Sequence, residues 1–183
     1  MGSTVHLLVI DNRDSFVYNV VELLRSLPEL TFEVIPEGEL ELSSLPEHDG
    51  LILSPGPGVP SEFPRMQALI RAEAGVKPIL GICLGHQALA EHYGAELVQL
   101  PAPRHGHASA LVVIDPADSL VGAIPTGSLV GRYHSWAVDE ASLPTCLVPT
   151  AYCADAGEGR VLMAMRHRTE PVWSMQFHPE SMI

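Results

Sequence analysis

Short apolar runs alternate with helical patterns through the first half of the chain, and this alternation restricts the fold more than any other feature. The apolar runs are rich in Val, Ile and Leu, as in buried strands, and occupy residues 5–10, 31–35, 50–53 and 78–82. Apolar residues at helical spacing occupy residues 16–27, 62–74 and 86–93. The first helix can begin at a cap from Asp14 or Ser15 and must end at Pro28. Right-handed crossovers then place the strands in a parallel sheet with helices on both faces.

The second half changes character, with strand-like runs and little helix between them. These runs occupy residues 110–114, 129–133, 146–153, 161–165 and 172–177. The length of 183 residues suits one compact domain, and the chain contains no internal repeat, low-complexity segment or linker. We therefore predict one α/β domain over residues 1–183. It has a flavodoxin-like, mostly parallel central sheet flanked by helices, with a strand-rich second half.

Charge and cysteine content narrow the class of function. The chain has 22 acidic and 10 basic residues, a formal net charge of −12, which argues against a nucleic-acid partner. The 3 cysteines are too few and too irregularly spaced for a secreted disulfide framework. Residues 1–10 lack the features of a signal peptide, and no apolar stretch reaches the roughly 18–20 residues of a membrane span. The prediction is a cytoplasmic protein with no membrane partner.

The strongest local signal is Cys83, which follows a predicted buried strand, precedes a helix and has Gly81 and Gly85 on either side. This pattern is typical of a nucleophile elbow, where flanking glycines let strand and helix pack closely. The N-terminus of the helix favours thiolate over thiol. The alternative is a small buried apolar residue, and we assign that role to Cys146 and Cys153, which lie within strand-like runs without glycines.

The last predicted strand leads into a candidate base. If the chain stays extended, its period of two places Gln176, His178 and Glu180 on one side, and Pro179 disfavours helix at this point. Glu180 can then reach the His178 ring, fix its tautomer and stabilise its charged form. Together with Cys83 these residues form a predicted nucleophile–base–carboxylate triad.

A loop rich in glycine and proline, residues 54–60, follows the third predicted strand. One interpretation is a simple turn. The other is an oxyanion hole in which the N–H of Gly56 acts together with that of Leu84, the residue after the nucleophile. Composition favours neither interpretation.

The motifs resemble those of class I glutamine amidotransferases and occur in the same order along the chain. They are Asp-Asn-Arg-Asp-Ser-Phe (11–16), Ser-Pro-Gly-Pro-Gly-Val-Pro (54–60), Gly-Ile-Cys-Leu-Gly-His-Gln (81–87), Arg-Tyr-His-Ser (132–135) and Gln-Phe-His-Pro-Glu-Ser (176–181). The Pro-Gly-Pro-Gly loop is similar to that of the small subunits of anthranilate synthase and aminodeoxychorismate synthase.

The resemblance implies a function and a set of site residues. Cys83 would attack the side-chain amide of L-glutamine, giving a γ-glutamyl thioester and ammonia, while His178 shuttles protons and Glu180 holds it. Gly56 and Leu84 would stabilise the oxyanion. The residues expected to line the glutamine pocket are Gly56, Pro57, Gly58, Gln87, Ser135 and Trp136. Ammonia would pass to a chorismate-using synthase subunit (component I); this chain would need no cofactor or metal, and Mg²⁺ is expected on the synthase partner.

Several alternatives stay open. Gly58 favours anthranilate synthase component II, because aminodeoxychorismate relatives often have cysteine there, although some small subunits serve both enzymes. A stand-alone γ-glutamyl cysteine hydrolase and a non-catalytic regulatory domain are the remaining readings. His107 replaces a lysine common in the family, and a His105/His107 metal pair is a weak alternative because no thiol or carboxylate lies nearby in sequence.

Two further departures from the family give structural expectations. The chain stops at Ile183, where relatives usually continue through a further helix, so the apolar surface under that helix is expected to be exposed. Trp136 stands where relatives often have leucine, and its backbone rather than its ring is expected to face glutamine.

Overall fold

The computed structural model describes residues 4–155 and 159–181, which form one mixed sheet with helices on both faces. The strands are β1 (Val5–Asp11), β2 (Leu30–Pro36), β3 (Gly50–Leu53), β4 (Ile79–Ile82), β5 (Leu97–Val113), β6 (Leu129–Val138), β7 (Leu147–Asp155), β8 (Gly159–His167) and β9 (Val172–Met175). The helices are α1 (Val17–Arg25), α2 (Pro64–Glu73) and α3 (Leu84–His92), with short 3₁₀ turns at Glu37–Glu39, Leu42–Ser44, Pro60–Glu62 and Glu140–Ser142. The strand order is β2-β1-β3-β4-β9-β8-β7-β5-β6.

The first five strands of that order, from β2 to β9, are parallel, as the alternation of strand and helix predicts. Successive side chains of a strand point to opposite faces, so each strand contributes side chains to two hydrophobic cores, one on each face of the sheet. Leu51 and Leu53 of β3 pack in the core that includes α2 and α3, whereas Ile52 packs in the core that includes α1. The sheet is therefore covered on both faces, and its buried strands need an almost continuous apolar sequence.

The other half of the sheet, from β9 to β6, is antiparallel. Its one large departure from the sequence prediction is β5, which spans 17 residues instead of the short run at residues 110–114. The missed portion contains Pro101, Pro103 and Gly106, which weaken any strand pattern, and its register against β6 shifts twice. Pairing with β6 supplies the order that local sequence does not indicate.

Element ends differ from the prediction by a few residues. Helix α1 starts at Val17 with Phe16 at the cap position, so the predicted cap was wrong; the Asp14 carboxylate instead accepts the N–H of Phe16 at 2.9 Å. Helix α2 starts at Pro64, α3 starts at Leu84 and β9 ends at Met175. The expectations about residues 1–3 and Ile183 lie outside the described residues. Within the described part, no helix has the length and apolar character needed to cross a membrane.

Candidate active site

Cys83 lies in the sharp turn between β4 and α3. Its backbone has φ +52° and ψ −99°, a conformation that residues other than glycine rarely adopt. A Cβ atom on Gly81 would lie 2.6 Å from the backbone of Gly85, and one on Gly85 would lie 2.5 Å from the carbonyl oxygen of Leu53. Only glycine fits at either position. The predicted close packing of strand and helix around the cysteine is confirmed.

The Cys83 thiol is almost fully buried and has polar neighbours. Its backbone N–H donates to Met175 O at 2.8 Å, which ties the turn to the end of β9. The sulfur lies 3.9 Å from Tyr133 O, to which the thiol can donate, and it accepts from Nε2 of Gln176 at 3.5 Å. The sulfur is therefore held at the N-terminus of α3 with a hydrogen-bond donor already in contact.

His178 and Glu180 meet just beyond β9. The N–H of His178 donates to Gly131 O at 2.9 Å, and the chain then turns at Pro179 instead of staying extended. Nδ1 of His178 lies 2.7 Å from Oε1 of Glu180, and both side chains are buried. The carboxylate therefore holds the Nδ1–H tautomer and leaves Nε2 for chemistry.

The charge state of His178 depends on its two neighbours. Burial lowers the pKa of His178, but the adjacent Cys83 sulfur and the Glu180 carboxylate raise it by more, to about 10. Nε2 has no other hydrogen-bond partner among the described residues, which leaves it available to Cys83. The rings of Phe16 and Tyr133 pack against His178 with centroids 5.2 and 5.0 Å away. Together these contacts favour an imidazolium beside the sulfur.

The loop after β3 approaches the elbow closely. Asn12 is fully buried and holds this loop, since Nδ2 donates to Ser54 O and its backbone N–H donates to Ser54 Oγ, both at 2.9 Å. A Cβ atom on Gly56 would lie 2.4 Å from the Leu84 side chain. Neither Gly56 nor Leu84 donates its N–H to another described residue. Gly58 has φ +69°, a conformation that glycine adopts without strain.

A cavity of about 300 Å³ opens beside the sulfur. Its walls are formed by Gly56, Pro57, Gly58, Cys83, Gln87, His105, Tyr133, His134, Ser135 and Trp136. The six residues expected to line a glutamine pocket all lie on this wall. A neighbouring cavity of about 290 Å³ adds the segment from Arg13 to Phe16 together with His178, and it shares with the first cavity Gly56, Pro57, Cys83, His105 and Tyr133. The cysteine therefore lies where the two cavities adjoin.

Sequence reasoning missed several residues of the wall. Tyr133 and His134 belong to a motif that the resemblance already singled out, so that motif was the available signal. The sequence indicated His105 only as half of a possible metal pair with His107, because it lies in the part of β5 that was not predicted as a strand. Across residues 4–155 and 159–181, no group of three His, Cys, Asp or Glu side chains could hold a metal ion.

Two buried histidines near the cysteine are neutral. Burial and the charge of Arg132 lower the pKa of His134 to about 3, although its Nδ1–H bond to Trp136 O at 2.8 Å opposes this. Nε2 of His134 accepts from Nε of Arg132 at 3.1 Å. Burial, helped by His134, also lowers the pKa of His86 to about 3. Among these histidines, His178 alone is set to carry a proton at neutral pH.

Comparison with known proteins connects this geometry to a family. Residues 8–183 match the family model of glutamine amidotransferase class-I. Anthranilate synthase component 2 of Lactococcus lactis is 41% identical over 177 residues, which cover 96% of this chain and 86% of that protein. Aminodeoxychorismate synthase component 2 of Serratia marcescens is 40% identical over 183 residues, covering 97% and 92%.

A solved structure supports the fold assignment. The crystal structure of a glutamine amidotransferase from Thermotoga maritima, 18% identical in sequence, has a TM-score of 0.75 and covers 98% of this chain and 77% of that chain. At that identity the likeness shows the fold alone, and the predicted α/β architecture is confirmed. With the family match over nearly the whole chain, this establishes that the protein belongs to the class I glutamine amidotransferases.

Proposed function

We propose that this chain is the glutaminase subunit of a chorismate-using synthase, and specifically anthranilate synthase component II. The observation that carries the proposal is the position of Cys83, which stands in a strained elbow on the wall of a cavity, next to the His178–Glu180 pair. The names of the relatives support the choice of a chorismate-using enzyme. Aminodeoxychorismate synthase component II is the second candidate, because the relative with that name is almost equally similar.

The proposed reaction begins from an ion pair, in which the Cys83 proton has already passed to Nε2 of His178. The sulfur attacks the carbonyl carbon of the glutamine side-chain amide, and the N–H groups of Gly56 and Leu84 bind the oxygen as it gains negative charge. His178 returns the proton to the amide nitrogen, the C–N bond breaks, and ammonia leaves a γ-glutamyl thioester.

A water molecule completes the cycle. His178 removes a proton from the water, the resulting hydroxide attacks the thioester carbon, and the C–S bond breaks to give glutamate and the Cys83 thiolate. The Glu180 carboxylate stabilises the imidazolium in both halves through its bond to Nδ1. All proton transfers use Nε2, the nitrogen that has no other hydrogen-bond partner among the described residues.

The second cavity suggests how ammonia leaves. Ammonia released into neutral water becomes mostly ammonium, which is not nucleophilic, so it must reach its acceptor directly. The cavity lined by His178 and the segment from Arg13 to Phe16 adjoins the first cavity at Cys83, and its walls do not include Ser135 or Trp136. We place the docking of component I there.

The proposed steps use only this chain's own groups, and the Mg²⁺ of such enzymes would sit on component I. We propose a cytoplasmic location, where the thiol stays reduced.

The test measures glutamate release from L-glutamine with and without a component I subunit plus chorismate, using wild type and Cys83→Ala. We expect strong stimulation by the partner in wild type and none in Cys83→Ala, while synthesis from added ammonium stays intact with both. Mass spectrometry of the product formed from chorismate distinguishes anthranilate from aminodeoxychorismate. Rapid hydrolysis without a partner would instead indicate a stand-alone hydrolase. Loss of ammonium-dependent synthesis in Cys83→Ala would show that Cys83 is structural.

A further inference from the structure

A chain of hydrogen bonds between side-chain amides leads from the backbone carbonyl of Trp136 to the Cys83 sulfur. Nε2 of Gln87 donates to Trp136 O at 2.8 Å and also to Oε1 of Gln176 at 3.0 Å. Nε2 of Gln176 in turn lies 3.5 Å from Sγ of Cys83. Gln176 has 0% exposure and Gln87 3%, so water does not compete for these bonds.

The donor and acceptor in each of these hydrogen bonds are unambiguous. A backbone carbonyl only accepts hydrogen bonds, so the Gln87 atom that faces Trp136 O must be the NH₂ group. The same NH₂ group also faces the Gln176 amide, whose nearer atom must then be the oxygen. The remaining NH₂ group of Gln176 therefore points at the sulfur. If the Gln176 amide were flipped, two NH₂ groups would face each other and a buried amide oxygen would face the Cys83 sulfur.

The backbone carbonyl of Trp136, where this series of hydrogen bonds begins, is itself held in place. Trp136 O also accepts from Nδ1 of His134 at 2.8 Å, and Nε2 of His134 accepts from the fully buried Arg132. His134 is neutral, because Nε2 serves as an acceptor. A buried charge thus fixes the ring, the ring fixes the carbonyl, and the carbonyl fixes the direction of both amides.

We propose that Gln176 is a catalytic residue whose amide N–H stabilises the Cys83 thiolate, and that Gln87 is a positioning residue that orients this amide. The inference rests on the proposed glutaminase function. Hydrogen bonds to an ionised acceptor are stronger than those to a neutral one, so the donor favours thiolate over thiol. An amide cannot take the thiol proton, and Gln176 therefore does not compete with His178 as the base.

The same donor assists both halves of the reaction. It stabilises the thiolate before attack on glutamine, and it stabilises the thiolate again as the leaving group when water cleaves the thioester. A second consequence concerns the substrate. Because the NH₂ group of Gln87 is engaged with Trp136 and Gln176, only Oε1 of Gln87 is left to contact bound glutamine.

The experiment is alkylation of Cys83 by iodoacetamide between pH 5 and 9, with no glutamine and no partner. Mass spectrometry of peptides separates Cys83 from Cys146 and Cys153. Gln176→Leu removes the donor with little change in volume, and we expect it to slow alkylation of Cys83 at pH 7 about tenfold, the effect of losing one hydrogen bond to a charged group. The matched control Gln67→Leu, on helix α2, should react like wild type.

Two further variants keep the inference falsifiable. Circular dichroism and urea midpoints establish that each variant is folded. Gln176→Glu places a carboxylate beside the sulfur and should slow alkylation more than Gln176→Leu does. If Gln176→Leu does not fold, Gln87→Leu decides the matter, since it leaves the Gln176 amide in place but free to rotate, and alkylation should still slow.

The outcomes separate this inference from the proposed function. If Gln176→Leu and Gln87→Leu fold and Cys83 is alkylated at the wild-type rate in both, the inference is overturned, even if turnover falls. The amides would then serve structure or substrate binding alone. Slowed alkylation in a chain that releases no glutamate with any partner would support the thiolate contact and refute the glutaminase assignment instead.

Discussion

His86 makes folding sensitive to acid. It lies in the first turn of α3 with 0% exposure, and its Nδ1 is 2.8 Å from the hydroxyl of Ser174. Burial, with a smaller contribution from His134, lowers the pKa of His86 from 6.5 to about 3. The folded protein therefore keeps this ring neutral at every pH above about 3.

The sign of the effect follows from where each state binds a proton. Between the unfolded pKa of 6.5 and the folded pKa of about 3, the unfolded chain binds a proton at His86 and the folded chain does not. The contribution of His86 to stability is thus fully present above pH 6.5 and is lost as the pH falls. Between pH 7 and pH 5 the loss from His86 alone is about 2 kcal/mol of unfolding free energy.

The assay compares urea unfolding of wild type and His86→Asn at pH 7 and pH 5. Asparagine keeps a polar group near the position of Nδ1, so the bond to Ser174 can remain while the titration disappears. The smaller side chain costs stability at both pH values, and that cost cancels in the comparison. Wild type should lose about 2 kcal/mol more than the variant on acidification. Equal losses within about 0.5 kcal/mol would refute the reasoning, since His86 would then titrate alike in both states.

Three further predictions concern the proposed site. Glu180→Gln keeps a hydrogen bond to His178 but removes the charge, so kcat for glutamate release should fall about tenfold, against about 10²–10⁴-fold for His178→Ala; equal losses would show that Glu180 does more than orient and charge the ring. Gly85→Ala drives a methyl group into the β3 backbone and should lower the urea-derived unfolding free energy by about 1–3 kcal/mol; an unchanged value would mean that the elbow can relax. Asn12→Ala removes the side-chain bond to Ser54 that holds the loop, so kcat/KM for glutamine should fall while Cys83 alkylation stays at the wild-type rate; slowed alkylation would show that Asn12 acts on the thiol instead.

The parallel half of the sheet was predictable because its signals are local. Runs such as residues 50–53 have no polar residue, as a strand buried on both faces requires, and Pro28 limits the first helix by its backbone chemistry. The identity of the candidate nucleophile was predictable for the same reason. Cys83 lies between two glycines that must be glycines, since a methyl group on either would meet backbone atoms.

Strand β5 was predictable only in part, because its order comes from a partner distant in sequence. Its first thirteen residues include two prolines and a glycine, and they form a strand by pairing with β6 across two register shifts. This pairing brings His105 and Tyr133 to the same cavity. A local pattern cannot indicate such an arrangement, since the energy that stabilises it comes from contacts between distant segments.

The sequence by itself determined the fold class, the elbow cysteine and the residue types of the candidate triad, because each depends on neighbours within a few positions. Tertiary structure alone decided which groups reach the Cys83 sulfur and which of the nearby histidines carry a proton. The strand pattern placed Gln176 on the same side as His178 but indicated no role for it. In the structure Gln176 donates to Cys83, because Gln87 and Trp136 orient its amide. Burial lowers the pKa of both His178 and His134, yet the Cys83 sulfur and the Glu180 carboxylate raise that of His178, whereas the Arg132 guanidinium lowers that of His134 further. Burial makes such differences large, since little water is left to screen the charges.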